Sequence, residues 1–338
     1  MYQSFAVTAR PEQGPPRLQA LRAELAVQGL DGFLIPRADA HQGEYVAPRD
    51  DRLVWLTGFT GSAGFCAVLP DIAGVFIDGR YRTQIKTQVA DVYTAVPWPE
   101  TGLADWLIEQ MPSGGVIGFD PWLHTAGQIE QLTQALAGTG ITLNPTDNMV
   151  DAIWNDQPGP AMEPAKVHPL EFAGESHADK RARLGTELAR AGQPAAIITL
   201  PDSLCWLLNI RGADIHCNPV AQGFAVLHAD ARVDLFMADA KLDDVRDHLG
   251  AEVTAHDPDS FLTEIAKLTG PVRMEKSSVP FIVADTMGDS GTWGDDPCAL
   301  PKACKNPAEI DGSASAHLRD GAAVVELLAW LDAQAPGT

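Results

Sequence analysis

One pattern of helix, strand and hairpin occurs twice in this chain, and that repetition restricts what it can fold into. Glu24-Leu25-Ala26…Gly29…Ile35…Asp39 is matched, 163 residues later, by Glu187-Leu188-Ala189…Gly192…Ile198…Asp202. Trp55-Leu56 returns as Trp206-Leu207, and the apolar pair of runs from Phe65 to Ile77 returns from Phe224 to Met237. A unit used twice predicts two related domains, each too large to be a small solenoid repeat. Short apolar runs bounded by Pro, Asp and Gly read as buried strands, and the spans between them carry helical spacing. The expected fold class is therefore α/β, with mixed sheets flanked by helices. Expected boundaries are 1–157 for the first domain, 158–302 for the second and 303–338 for the start of a third; 338 residues leave room for about two domains of ordinary size.

In chain order, residues 1–14 read as a loose leader and Pro15-Pro16 opens a helix. Leu18, Leu21, Leu25 and Gln28 share one stripe of it, and Gly29 stops it. A strand Gly32–Ile35 ends in Pro36 and is followed by a polar loop to Pro48. The hairpin strands are Phe65–Leu69 and Val75–Ile77. The pattern then predicts helices at 82–90, 102–111 and 125–137, strands at 92–96, 116–119 and 142–143, and a short helix ending at Trp154. The proline-rich stretch from Asn155 to Pro169 reads as a linker. Beyond the second hairpin, helices at 242–249 and 260–267 alternate with strands at 252–255 and 272–274. Pro307–Ala333 reads as a long amphipathic helix capped by Asn306, with Ala316, Ala323, Leu327, Trp330 and Leu331 toward one side. A stripe of that size needs a body to lie against.

The loop Gly58-Phe59-Thr60-Gly61-Ser62-Ala63-Gly64 precedes the first hairpin, which delivers Asp78-Gly79-Arg80-Tyr81 at its end. Strand ends are where α/β folds place functional loops. Its three glycines lack the Lys-Ser/Thr of a phosphate-binding loop and the dinucleotide spacing, so they read as a tight turn where two backbones approach. Arg80 is either a surface residue paired with Asp78 or Glu44, or a guanidinium facing a cleft and able to hold a carboxylate or carbonyl through two donors. This loop and Arg80 have no counterpart in the second copy. A second polar stretch, Arg211 to Pro219, predicts an internal network that pins one domain against the other.

Other chemistry is excluded or unsupported. A formal charge of −21 argues against nucleic acid and against an anionic membrane surface, and reads most simply as a solvated acidic surface. Five cysteines at irregular spacing, with no C-x-x-C, predict reduced thiols and a cytoplasmic protein. No signal-peptide core or membrane-length apolar run is present. The nine histidines form no metal-binding motif, and Asp243-Asp244 and Asp295-Asp296 read as solvated faces. There is no G-x-S-x-G, and Ser62 has no evident base. These residues alone make no complete catalytic constellation.

Taken together, the stretches resemble one family. Leu34-Ile35-Pro36…Asp39-Ala40-His41-Gln42…Glu44-Tyr45…Ala47-Pro48, Thr57 to Gly64, and Asp78 to Tyr81 are similar to the N-terminal domain of long, three-domain aminopeptidase P (Xaa-Pro aminopeptidase). Asn209-Ile210-Arg211-Gly212…Asp214-Ile215…Asn218-Pro219 resembles its second domain. Lys305-Asn306-Pro307…Glu309…Gly312…Ala316-His317…Asp320-Gly321…Trp330-Leu331 resembles the helix that opens its third. The resemblance implies two creatinase N-terminal-like domains followed by the beginning of a "pita-bread" catalytic domain. It further implies that this third domain uses two divalent metals, commonly manganese, held by two Asp, one His and two Glu downstream of Thr338, to release the residue before a penultimate proline. No metal ligand can be carried onto this chain, and none of its residues is assigned as catalytic; Arg80, of the D-G-R-Y motif, is implied to bind substrate.

The implied partners are a peptide with proline in second position, the catalytic domain and, for the full-length protein, a second copy in a homodimer. Nucleic acid and membrane are not among them. The chain by itself is expected to be inactive, shaping substrate access and oligomer geometry. Two alternatives remain open: a creatinase- or prolidase-type hydrolase, which the Arg211–Pro219 signature speaks against, and a stand-alone binding or scaffold protein, which an orphan apolar helix speaks against.

Overall fold

A computed structural model describes residues 7–334. The first domain is built on strands β1 (Gly32–Pro36), β2 (Gly64–Val68), β3 (Ala73–Ile77), β4 (Thr94–Pro97), β5 (Gly115–Phe119) and β6 (Ile141–Pro145). They lie in the order β4-β3-β2-β1-β5-β6. β1, β2 and β3 pair antiparallel, and the outer strands pair parallel to their neighbours. A short strand β7 (Lys166–Val167) follows the linker and pairs with β9 (Ile210–Arg211). Between and beyond them lie β8 (Ala195–Ile198), β10 (Phe224–His228), β11 (Val233–Phe236), β12 (Val253–His256), β13 (Val272–Met274) and β14 (Gly291–Trp293). Their order, β12-β11-β10-β8-β13-β14, repeats the first sheet strand for strand, with the same parallel and antiparallel pairings. The repeat read from the sequence is a repeat of topology.

Each sheet is buried on both faces. In β1, Phe33 and Ile35 pack against Leu18, Leu21 and Leu25 of the helix Gly14–Gln28, whereas Leu34 packs on the other face near Trp106, Leu107 and Ile129. In β8, Ala196 and Ile198 face one core, and Ala195 and Ile197 face the other. This is why the strands read as continuous apolar runs rather than clean alternations.

Several predicted elements are cut short by tertiary contacts. The helix expected over 82–90 is only Ile85–Gln88, because the Gln84 and Gln88 side chains are bonded to Thr60 and the Gln88 carbonyl meets the Gly58 turn. The stretch ending at Trp154 is a set of turns, since the Asn148 side chain takes the amides of Val150 and Asp151. The helix expected over 242–249 is reduced to Arg246–Leu249; the Lys241 carbonyl is taken by the linker amide of Ala165 at 2.8 Å. The apolar approach Val54-Trp55-Leu56 is a helix, Arg52–Thr57, matched in the second domain by Pro201–Leu208.

The two domains meet along equivalent turns. Ala126 and Gly127 donate their amides to the carbonyls of Val279 and Lys276, while Phe281 and Ile282 donate to those of His124 and Pro121. Thr125 and Pro280 form a bridge at the centre. The same loop after β5 and after β13 therefore pairs with its own counterpart. A second tie starts from a buried ion pair inside the second domain. Asp214, on the Arg211–Pro219 stretch, is bonded by the buried Lys241 ammonium, by the amide of Gln222 at 2.6 Å and by that of Glu163 at 3.2 Å. Gln222 reaches across to the Asp39 carboxylate at 2.8 Å. Within that stretch Asp214 carries the network, Gln222 just beyond it makes the link to the first domain, and among the described residues the Arg211 guanidinium bonds only the adjacent Ile210 carbonyl.

Removing one partner of a buried ion pair strands the other charge. Asp214→Ala is expected to destabilise the fold by about 3–5 kcal/mol, read as a lower urea midpoint, whereas Asp214→Leu combined with Lys241→Met recovers most of the loss.

Candidate functional site

The glycine loop and Arg80 form one assembly. Gly58 has φ +87°, and a Cβ there would sit 2.3 Å from the Gln88 carbonyl oxygen. That is the close approach of two backbones expected from the sequence. The Ser62 hydroxyl lies 2.6 Å from the Tyr81 hydroxyl, which fastens the loop to the D-G-R-Y turn and is the first cause of the lowered Tyr81 pKa. Ser62 thus has a structural partner and no base. The Asp78 carboxylate accepts the amide of Arg80 at 2.8 Å and caps the turn. It also accepts the Arg80 guanidinium at 2.8 and 2.5 Å, which holds the carboxyl below its usual range.

Arg80 is paired with Asp78, as one of the two sequence readings has it, and its side chain is still 67% exposed. The guanidinium lies 5.2 Å from the centre of the Tyr81 ring. An oriented, solvent-facing guanidinium can accept a carboxylate or carbonyl ligand with little reorganisation.

Beside this loop is a cleft of about 570 Å³ that the sequence did not reveal. Ile35, Phe65, Trp98, Leu103 and Ile129 supply apolar wall, and Arg37, Gln42, Gln131 and His124 supply polar groups. Arg37 follows β1 at its C-terminal end, a position that could have marked it; Trp98 and His124 come from distant loops and carried no local signal. Burial pushes His124 down to about 4, so its imidazole is neutral at neutral pH.

The acidic pairs behave differently from one another. Asp243 and Asp244 are exposed, as expected, but Asp296 is buried, with its carboxylate accepting the Cys298 amide at 2.7 Å and its pKa raised by desolvation. The solvated reading of Asp296 was wrong because its carboxylate serves a local turn. All five cysteines are free thiols, three of them buried. Among the described residues no group of three or more His, Cys, Asp or Glu side chains is arranged to hold a metal ion, and no helix is long and apolar enough to cross a membrane. Asp234 is bonded by His228 and His256 at 2.7 and 3.0 Å, each ring on a different oxygen, which makes a hydrogen-bonded clasp on the second sheet.

Fold and site together define a class: duplicated α/β modules with a single elaborated copy. Models of the creatinase/prolidase N-terminal domain match residues 17–153 and again residues 156–309, and the chain belongs to that family, carrying its domain twice. Its similarity to long aminopeptidase P extends along the whole sequence. It is 35% identical, over 97% of its length, to a protein of Coccidioides posadasii described as a probable Xaa-Pro aminopeptidase P, of which it covers 53%. A counterpart in Aspergillus niger is 32% identical over 94% of the chain and is covered over 54%. Among solved structures, X-prolyl aminopeptidase from Caenorhabditis elegans, described as a cytosolic enzyme with a di-nuclear active site, superposes with a TM-score of 0.88 at 30% identity. The match covers 95% of this chain and 56% of that one. The chain spans about half the length of the relatives it matches.

Two outcomes test this geometry. Gly58→Ala is expected to cost about 1–3 kcal/mol, because φ is positive and the new Cβ meets backbone; thermal unfolding measures it. His124 has a folded pKa below its unfolded value, so the unfolded chain binds the extra proton first. Stability is therefore lost as pH falls from about 6.5 toward 4. The slope attributable to this residue is up to about 1.4 kcal/mol per pH unit and should flatten in His124→Gln, as read by urea unfolding at several pH values.

Proposed function

We propose that this chain is the non-catalytic, substrate-shaping part of an Xaa-Pro aminopeptidase, a metallopeptidase that releases the N-terminal residue ahead of a proline. The observation that carries the reading is the match to both N-terminal modules of such enzymes with Arg80 exposed and fixed on the D-G-R-Y turn. The proposed organisation is 1–157 and 158–302 for the two creatinase-type domains and 303–338 for the opening of the catalytic one. The active enzyme would hold two metals, taken to be manganese, in its catalytic domain, where they would supply Lewis-acid activation of water. The role we assign to this chain is binding, orientation and access; among its described residues no group of three or more His, Cys, Asp or Glu is arranged to hold a metal ion.

The helix Pro307–Gln334 supports the same reading. Asn306 caps it in both directions with Glu309 and anchors its start on the Ala173 carbonyl at 2.8 Å. Past that anchor its apolar side chains are open to solvent, with Leu318 78% and Trp330 58% exposed. A catalytic domain packed on this helix would cover them. The proposed setting is a cytoplasmic homodimer acting on peptides with proline in second position.

The 338-residue chain with added Mn²⁺ is expected to leave an Xaa-Pro peptide uncut, whereas the protein joined to its catalytic domain cleaves it. In that active protein Arg80→Ala is expected to raise KM for longer peptides by about fivefold to tenfold, with a smaller change in kcat. Unchanged kinetics across a peptide-length series would remove Arg80 from substrate binding.

A further inference from the structure

The cleft beside the glycine loop has the character of a ligand site. Its volume, about 570 Å³, lies in the range that holds a side chain and a terminal group. Trp98 stands partly exposed at its edge and meets Phe65 edge to face, with ring centroids 6.1 Å apart. Together they offer an apolar slot.

Arg37 is the cationic group on this cleft. Its Nη1 donates to the carbonyl of Glu44 and, at 3.4 Å, to that of Ser62. Its Nε is buried without a partner, and it is absent from the ion pairs of the described residues. Its Nη2 is in no hydrogen bond among the described residues and is not enclosed, which leaves a guanidinium donor open to an arriving acceptor. Burial raises the pKa of Asp51, and the Arg37 charge opposes that rise. His124 adds an Nε2 with no protein partner, and it contributes no charge at neutral pH.

Ser62 joins this cleft to the Arg80 assembly. Its carbonyl faces Arg37 while its hydroxyl is bonded to Tyr81, the neighbour of Arg80. The two guanidiniums therefore flank one loop, Arg80 on its outer side and Arg37 in the cleft. We propose that the cleft binds the C-terminal residue of a peptide, with its apolar or aromatic side chain between Phe65 and Trp98 and its free carboxylate on Arg37. The peptide as source of that carboxylate rests on the function proposed above; the chemistry of the pocket does not.

Calorimetric titration of the 338-residue chain tests it with N-acetyl-Gly-Gly-Phe, the same tripeptide as its C-terminal amide, and N-acetyl-Gly-Gly-Ala. The free acid of the Phe peptide is expected to bind about tenfold tighter than its amide. Arg37→Gln should erase that difference, and Arg37→Lys should restore part of it. Trp98→Ala should erase the preference for Phe over Ala while leaving acid favoured over amide. Affinity should stay level between pH 6 and 8, because the group supplying charge does not titrate there.

Equal binding of acid and amide by the unaltered chain, or no binding at millimolar peptide, overturns the proposal whether or not a variant folds. So does discrimination that survives Arg37→Gln. If 3-phenylpropionate binds as tightly as the peptide, the pocket reads a free aromatic acid and the peptide assignment falls. None of these probes carries an N-terminal Xaa-Pro sequence. Carboxylate recognition without Xaa-Pro cleavage by the complete protein would refute the proposed activity alone, and cleavage without recognition would refute the pocket alone.

Discussion

The buried contact between Lys241 and Asp214 holds together more of this molecule than its size suggests. A lone ammonium or carboxylate at that depth would be prohibitive, so each exists only because the other is in place. Asp214 also accepts the amides of Gln222 and Glu163, and the Lys241 ammonium donates a hydrogen bond to the Gln222 carbonyl. Linker, second hairpin and the Arg211–Pro219 stretch thus converge on two side chains. Through Gln222 the network reaches Asp39, whose other oxygen organises the amides of His41 and Gly43 in the first domain. The loop leading to the glycine turn is thus hydrogen-bonded, through Gln222, to a network built on a charge pair in the second domain.

Duplication supplied the symmetry on which this arrangement rests. The turns after β5 and β13 pair with each other, as related surfaces do across a two-fold axis. The copies then took different roles. The first kept an open glycine loop, an exposed arginine and a cleft; the second carries buried polar groups. Lys180 illustrates the latter, with its ammonium bonded to the Trp206 carbonyl and Asn209 and its pKa lowered by burial to about 8.

The long terminal helix belongs to neither module. It has an anchored start and an uncovered apolar side. Its intrinsic tendency to be helical and its cap are local properties, which is why it forms without a visible neighbour.

By itself the sequence determined the repeat, the fold class, the central strands, the glycine turn and the capped terminal helix. These depend on apolar spacing, positive-φ glycines and capping residues, all of which act within a few positions of the chain. Tertiary structure decided the rest. Helix lengths at 82–90 and 242–249 were settled by carbonyls and side chains claimed from elsewhere, which no local pattern records. Asp296 looked solvated and is buried, because its burial is set by the surrounding fold. The cleft joins Arg37, Trp98 and His124 from three separate loops, and only the closing of the sheet brings them together. Proximity of residues far apart in sequence is a property of packing, and packing is what a linear pattern leaves open.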